Sequence, residues 1–413
     1  MFIKRYLLDE IIAHLPKREI TLIVGPRQAG KTTLMMHLKD YLEKRREQTL
    51  FLSLDFEMDM PYFKSQAELL QRIRLEFGGK KGYVFIDEIQ RKENAGIFLK
   101  GIYDMQTPYK FIVSGSGSLE LKEKIQESLA GRKRLCELYT VSFKEFVNYK
   151  TFYRYEDRLS EYFSIKKEDA MHHFKEYLNF GGYPAVILEE TISEKIKIMN
   201  EIYRSYVDKD ITHLISRDRI DTFNNMLRLL AGQIGNMVNY NELSSTLGIS
   251  LQTVKNYLSW AEKTFVIKRV TPYFKNIRKE ISKSPVVYFT DTGMRNFAMH
   301  QFGRVMGTEV AGFLFQNFVY RLLLDKVKDD MSTIHYWRTK DKAEVDFVID
   351  MVDRVVPVEV KCREMKKAEI RRSTRSFIER YEPDNVWIVN LTLKAEEKIG
   401  KTKILFIPFF ELV

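Results

Sequence analysis

The stretch GPRQAGKTT places Gly25, Gly30, Lys31 and Thr32 at the fixed positions of G-x-x-x-x-G-K-[ST], and that spacing builds a cradle for phosphate. Gly25 and Gly30, with Pro26, Arg27, Gln28 and Ala29 between them, let backbone N–H groups turn inward around phosphate oxygens. A helix starting at the end of the loop adds the positive end of its dipole. Lys31 can reach the outer phosphates and the Thr32 hydroxyl can ligate Mg²⁺, with Thr33 completing the stretch. The expected ligands are therefore ATP and Mg²⁺.

This chemistry requires a strand before the loop and a helix after it. The apolar run 20–24 supplies the strand, and Leu34, Met35, Leu38, Tyr41 and Leu42 recur at helical spacing. Residues 1–19 read as a short amphipathic helix leading in, and 50–56 as a second apolar strand closed by Asp55. A helix over 64–76 precedes YVFIDEIQ, where a buried strand 83–86 ends in Asp87 and Glu88. A carboxylate at that strand end, some 55 residues beyond the loop, is placed to hold Mg²⁺ through water. Glu88 is placed to polarise the attacking water, so hydrolysis is expected and not binding alone.

After a helix over 95–103, KFIVSGSGS gives a strand at 110–113 with Ser114 and Ser116 at its C-terminal end. Either serine can contact the γ-phosphate or the attacking water; a serine-rich turn is the plainer account. AGRKR precedes a strand at 135–139, and Arg132, with Arg134 as second choice, is the candidate arginine finger for a neighbouring subunit's γ-phosphate. A solvated or DNA-facing basic cluster fits those residues equally. Five strands alternating with helices specify a doubly wound α/β domain.

Over 145–215 the pattern is helical, carried by SFKEF, HFKEYLNFGGYP and IMNEIYRSYVDKDI, as expected for a lid on such a domain. From Thr222 a helix with Phe223, Met226, Leu227 and Leu230 is followed by NYNELSSTLG and SLQTVKNYLSWAEK. Helix, short helix, glycine turn and longer helix is the helix-turn-helix pattern, and FVIKRVTPYF with VVYFT supplies a wing. Leu251, Val254, Tyr257, Leu258 and Ala261 should face inward, leaving Gln252, Lys255, Asn256 and Ser259 free for bases and phosphates. Winged helices also serve as connectors or protein-docking modules.

The last third opens with an apolar helix, GFLFQNFVYRLLL, and continues in strands. Val345, Phe347 and Ile349 alternate with Asp346, Val348 and Asp350; Val356, Val358 and Val360 alternate with Pro357, Glu359 and Lys361. Asp346, Glu359 and Lys361 can therefore converge on adjacent strands. Two carboxylates and a lysine can bind Mg²⁺ and activate water for phosphodiester cleavage. The spacing, an aspartate, twelve residues and then ExK, resembles the PD-(D/E)XK nuclease core. Gln316 stands on the first helix where such nucleases place a glutamate, with Glu309 and Glu344 as substitutes; an amide is a poorer Mg²⁺ ligand than a carboxylate. Arg363, Lys367, Arg371 and Arg375 recur every fourth residue, a stripe suited to a phosphate backbone or to plain solvation.

Composition sets the outer bounds. The 413 residues are 45% apolar and 30% charged, which is ordinary for a protein with two or three cores. A formal charge of +11 points to a polyanionic partner, nucleic acid before membrane. Cys136 and Cys362 alone exclude a disulfide framework or zinc site. No window approaches the ~18 apolar residues of a membrane span, and the N-terminal segment lacks a signal-peptide pattern, so a cytoplasmic protein without membrane contact is expected.

The order of motifs resembles the AAA+ ATPases. Nearly end to end, GPRQAGKTT, YVFIDEIQ, SGSGSLEL, SLAGR, FGGYP, DTG and YWRTK…EVDF…VEVK resemble an archaeal and bacterial family of AAA_14-like P-loop ATPases with a C-terminal DUF4143 domain. The resemblance implies ATP binding and a nuclease-like C-terminal fold, and names no pathway. The expected divisions are 1–145 for the ATPase core, 146–218 for the lid, 219–275 for the winged helix and 276–413 for the nuclease-like domain. The expected function is Mg²⁺-dependent ATP hydrolysis coupled to DNA binding, with cleavage by the nuclease-like domain left open, in a homo-oligomer if Arg132 acts in trans. The alternatives are a non-cleaving nucleotide switch that binds a protein or DNA partner, and an ATP-gated transcription factor.

Overall fold

A computed structural model of the protein describes residues 2–116, 128–212, 214–274, 284–305, 311–328, 331–339, 341 and 343–413. Helix α1 (Leu7–His14) leads to strand β1 (Ile20–Gly25) and, through the glycine loop, to helix α2 (Lys31–Lys44). Then follow β2 (Thr49–Ser53), α3 (Gln66–Phe77), β3 (Gly82–Asp87), α4 (Ala95–Asp104), β4 (Tyr109–Ser116) and β5 (Lys133–Glu137). The five strands form one parallel sheet in the order β2–β3–β4–β1–β5.

Both faces of this sheet are covered, which is why its strands read as unbroken apolar runs. Leu22 and Val24 pack with Leu69, Ile73, Phe98 and Leu99 of α3 and α4. Ile23, pointing the other way, meets Leu7, Ile11, Leu34 and Leu38 of α1 and α2. β2 stops at Ser53 and not at Asp55, because the chain turns out of the sheet and Asp55 pairs with Arg91 at 2.5 Å. β4 runs on to Ser116, so both serines lie within the strand.

The middle of the chain is helical: α5 (Phe143–Lys150), α6 (Leu159–Ile165), α7 (Lys167–Phe180), α8 (Pro184–Leu188) and α9 (Ile192–Tyr206). α9 passes into a π-helical turn, Val207–Ile211. Next are α10 (Ile220–Gly232), α11 (Tyr240–Leu247) and α12 (Leu251–Lys263), then β6 (Ile267–Val270) antiparallel to β7 (Val286–Phe289). Asn239 caps α11, Gly248 ends it at φ 64°, and Ser250 caps α12. Val254, Tyr257, Leu258 and Ala261 are buried as expected, but Leu251 in the first turn is 43% exposed.

Helix α13 (Thr292–Ala298) and helix α14 (Ala311–Lys326) lead into a second sheet. Its strands are β8 (Thr333–Arg338), β9 (Glu344–Asp350), β10 (Val355–Val360), β11 (Asn385–Asn390), β12 (Ala395–Ile399) and β13 (Thr402–Pro408), with helix α15 (Arg372–Tyr381) between β10 and β11. The order is β12–β13–β11–β10–β9–β8. Phe315 and Phe318 of α14 cover Phe347, Ile349 and Val358, whereas Phe377 of α15 packs on Trp337, Val345 and Val348.

One apolar core crosses the expected divisions. Phe143 of α5, Phe174 of α7, Phe318 of α14 and Phe409 beyond β13 meet pairwise, with ring centroids 4.4 to 6.3 Å apart. The boundary expected at 145 falls inside α5. FGGYP and DTG form a second joint: Asp291 caps α13 through Met294 N (2.9 Å) and accepts from Gly182 N (2.8 Å). A Cβ at Gly181 would lie 2.2 Å from Asp291 Oδ1, so only glycine allows the approach. Among the described residues no helix is long and apolar enough to cross a membrane.

Asp291→Ala leaves two buried N–H groups without an acceptor and should cost about 3 kcal/mol. Urea unfolding measures this, and an unchanged midpoint would show that the joint adds no stability.

Candidate functional site

The glycine loop leaves β1 at the C-terminal edge of the parallel sheet. Gln28 (φ 59°) and Gly30 (φ 95°) adopt left-handed backbone, the alternation that turns successive N–H groups to one side. A Cβ on Gly25 would lie 2.0 Å from Leu138 O, so the loop's first glycine is required by backbone approach. Lys31 starts α2, is buried, and donates to Gly25 O (3.0 Å) and Pro26 O (2.9 Å). Burial lowers its pKa, opposed by the nearby carboxylates of Glu88, Asp210 and Asp87.

The strand order brings the other expected residues to this edge, because β4 lies between β1 and β3. Thr32 Oγ1 donates to Asp87 Oδ2 at 2.7 Å. Ser114 Oγ donates to Asp87 Oδ1, and Glu88 N donates to Ser114 Oγ at 3.4 Å. Glu88 takes left-handed backbone, φ 57°, a conformation that costs a non-glycine residue energy and gathers at functional sites. Ser116 Oγ is buried without a hydrogen-bond partner among the described residues. A hydroxyl and a carboxylate oxygen in contact are the hard donors Mg²⁺ takes beside phosphate. The orphaned Ser116 hydroxyl at the same edge fits a phosphate or water, so these residues fit ATP with Mg²⁺.

Several further residues meet the loop through tertiary contacts that spacing does not specify. Gln90 donates from Nε2 to Glu88 Oε2, and its Oε1 accepts from Ser116 N at 3.1 Å. Arg5, ahead of α1, donates to Ala29 O (2.9 Å), Tyr139 O (2.6 Å) and Glu145 (3.0 Å). Pro184 of FGGYP lies 3.8 Å from where a Cβ of Gly30 would stand. Arg27 pairs with Asp210 of the π-helical turn at 2.7 Å. Gln90, Pro184, Arg27 and Asp210 lie in the quoted stretches YVFIDEIQ, FGGYP, GPRQAGKTT and IMNEIYRSYVDKDI, but these contacts follow only from the fold.

Arg132 precedes β5, and its carbonyl accepts from Ile20 N, the start of β1. It therefore sits at the sheet edge opposite its own glycine loop, paired with Asp104 at 2.8 Å. Arg134 lies within β5, opposite Thr21.

In the second sheet the structure brings Asp346, Glu359 and Lys361 together. A register shift in the β8–β9 ladder lies beside Asp346, whose Oδ2 accepts from Val360 N at 2.7 Å. Lys361 Nζ donates to Glu359 Oε1 (2.5 Å), Arg371 Nη1 reaches the same oxygen (2.9 Å), and Thr374 Oγ1 donates to Oε2 (2.8 Å). Gln316 does face this cluster: its Nε2 donates to Asp346 Oδ1 (3.1 Å) and Tyr288 Oη (3.0 Å). Among the described residues no three His, Cys, Asp or Glu side chains gather to hold a metal. Glu344 pairs with Arg338 at 3.6 Å, and Glu309 lies outside the described residues.

The expected basic stripe does not form on a helix. Helix α15 begins only at Arg372, so Arg375 alone of the four is helical. Arg363 pairs with Glu369, Arg371 turns in to Glu359, and Lys367 sits in the connecting segment. Recurrence at every fourth residue without a helix-start signal before Arg371 does not make a helix. On α12, Gln252 and Lys255 are exposed and Asn256 and Ser259 half-buried; Gln252 Nε2 donates to Asn256 Oδ1 at 3.0 Å.

Comparison with known proteins bears out two named parts of the resemblance. Residues 17–147 match the family described as an AAA domain, and 311–410 match a domain of unknown function, DUF4143. Residues 171–304 match a further domain of unknown function, DUF8612. An uncharacterized protein of Mycobacterium tuberculosis is 26% identical over 88% of this chain and 74% of its own length. One from Methanocaldococcus jannaschii is 26% identical over 94% and 86%. Among solved structures, DnaA of Aquifex aeolicus bound to AMPPCP shares 14% identity over 63% of this chain and 90% of its own, at a TM-score of 0.28. A second structure, the replication initiator DnaA with AMPPCP and single-stranded DNA, reaches 0.32 at 14% identity over 63% and 90%. At these scores the likeness bears on neither activity nor partner. Residues 17–147 thus match an AAA domain and carry the five-stranded parallel sheet with its P-loop, and a second sheet lies in the C-terminal part of the chain.

Burial and the charge of Glu359 raise the pKa of Asp346, against the opposing pull of Val360 N–H and Lys361. A carboxyl whose pKa is raised on folding stabilises fully below its unfolded value, near ~4, and that stability is lost as pH rises through the folded value. Wild-type stability relative to Asp346→Asn should therefore fall from about pH 5 to about pH 8. Urea midpoints at both values test this; a constant difference contradicts it.

Proposed function

We propose that the protein binds ATP with Mg²⁺, hydrolyses it, and couples that cycle to DNA held by its C-terminal half. The observation that carries the ATPase reading is the 2.7 Å bond between Thr32 Oγ1 and Asp87 Oδ2 at the mouth of the glycine loop. Thr32 and Asp87 would hold Mg²⁺, which supplies charge neutralisation along the phosphates. Lys31 would turn from its loop carbonyls to the outer phosphates. Glu88 would take the proton of the attacking water, steadied by Gln90. Ser114 and Ser116 would position that water or the γ-phosphate. Arg132 sits at the far end of the sheet, so as a finger it serves a second copy of the chain, and turnover requires an oligomer.

Support for DNA as partner comes from the helical triplet α10–α12 with its antiparallel β6–β7 pair, read as a winged helix, and from the net charge of +11. Gln252, Lys255, Asn256 and Ser259 would contact the duplex from α12. In the nuclease reading Asp346 and Glu359 would hold Mg²⁺, which would supply Lewis acidity, and Lys361 would stabilise negative charge on the attacking water. A second reading, a partner-binding domain that does not cut, is favoured by Gln316. Its amide occupies one oxygen of Asp346, and Lys361 and Arg371 share one oxygen of Glu359.

Phosphate release and strand cutting, measured on one preparation with Mg²⁺ or Mn²⁺ and with or without DNA, separate these readings. Glu88→Gln should retain ATP and lose turnover; undiminished hydrolysis rejects Glu88 as the activating residue. Arg132→Ala should lose turnover while still binding nucleotide, and lost binding would count against a finger. Cutting that disappears in Asp346→Ala and Lys361→Ala establishes the nuclease; no cutting by the wild type leaves the second reading.

A further inference from the structure

The ion pair between Arg27 and Asp210 joins the glycine loop to the helical half of the molecule, and no motif foretold it. Arg27 occupies a variable position of the loop, yet its Nε lies 2.7 Å from Asp210 Oδ1. The Asp210 side chain is 6% exposed. The ion pair holds this carboxylate against the loop, and its charge also acts on the buried ammonium of Lys31. A nucleotide's phosphates seated there would stand beside a buried carboxylate of the same sign. Like charges in a low-dielectric setting disfavour one another strongly. The phosphates would also attract Arg27, whose guanidinium suits phosphate as well as carboxylate.

Asp210 is built into an element able to transmit a change. It lies in the π-helical turn Val207–Ile211, and such turns are rare and concentrate at functional sites. Just before the turn, Tyr206 Oη meets Thr264 Oγ1 at 3.2 Å, and Thr264 Oγ1 donates to Trp260 O of α12 at 2.7 Å. Within the turn, Ile211 is fully buried in the core shared with α10 and α12. The path from loop to helix-turn-helix is Arg27, Asp210, the π turn, Tyr206 and Thr264.

Resting on the nucleotide-binding reading above, we propose that Asp210 and the phosphates of a nucleotide compete for Arg27, so that nucleotide binding releases the π-helical turn. Asp210 is then a positioning and sensing residue. It opposes nucleotide binding, and the opposition is how the helical half learns that the loop has been filled. Coupling of this kind is reciprocal: whatever fixes the turn weakens nucleotide binding by the same factor.

Calorimetric titration of the full chain with ADP and with a non-hydrolysable ATP analogue, alongside amide exchange of the peptide 199–212, tests the proposal. In the wild type, nucleotide should speed exchange in that peptide. Asp210→Asn should bind nucleotide about fivefold or more tighter, with exchange already fast and indifferent to nucleotide. A purely structural role for Asp210 would not tighten binding. Arg27→Gln, which removes the other half of the pair, should speed exchange without tightening binding. Unchanged or weaker binding by Asp210→Asn, or wild-type exchange that nucleotide leaves alone or slows, would overturn the proposal while leaving the ATPase reading intact. No nucleotide binding by the wild type would overturn both.

Discussion

The contact between Thr32 and Asp87 depends on a constraint of sheet order. Asp87 ends a strand two places from the strand that feeds the glycine loop, and β4 fills the gap. Only because all these strands are parallel do their C-terminal ends share one edge. Ser114 on the intervening strand then closes the span, donating to the other oxygen of Asp87. Reversing β3 would carry Asp87 to the opposite edge, and exchanging β4 with β5 would take Ser114 out of the gap. The apolar faces on both sides of the sheet serve that order, since each strand is held in place by helices it cannot slide past without exposing a buried row.

The rest of the chain is tied to this edge from the outside. Arg5 spans the loop, the end of the sheet domain and α5 through three different acceptors. FGGYP lies over Gly30 on one side and under Asp291 on the other. The four-phenylalanine cluster then joins α5 and α7 to α14 and to the turn after the last strand. A change at the loop therefore has packed routes into the helical and C-terminal halves, and no route crosses a solvated linker among the described residues.

The ATPase-like domain was legible because local pattern and chemistry coincide there. GPRQAGKTT must lie between a strand and a helix, and Asp87–Glu88 must end a strand, so spacing alone placed them. Contacts that depend on tertiary geometry were not legible. Nothing in the composition of the first helix marks Arg5, and Asp210 reads as an ordinary residue in VDKDI until a π turn and Arg27 bring it to the loop. The fourfold recurrence from Arg363 to Arg375 misled because periodicity without a helix start is not a helix; the chain enters α15 only at Arg372. Gln316 was legible as a departure, and its amide meets Asp346 where a carboxylate was expected.

Thr32 and Asp87 are proposed to form a magnesium site for nucleotide turnover. Phosphate release from ATP by the wild type and by Thr32→Val, titrated with Mg²⁺, tests it most directly. Valine keeps the shape and removes the ligating hydroxyl. Turnover should fall about 10–100-fold at limiting Mg²⁺, while metal-free ADP binding is retained. Unchanged turnover and magnesium dependence in Thr32→Val would contradict the account.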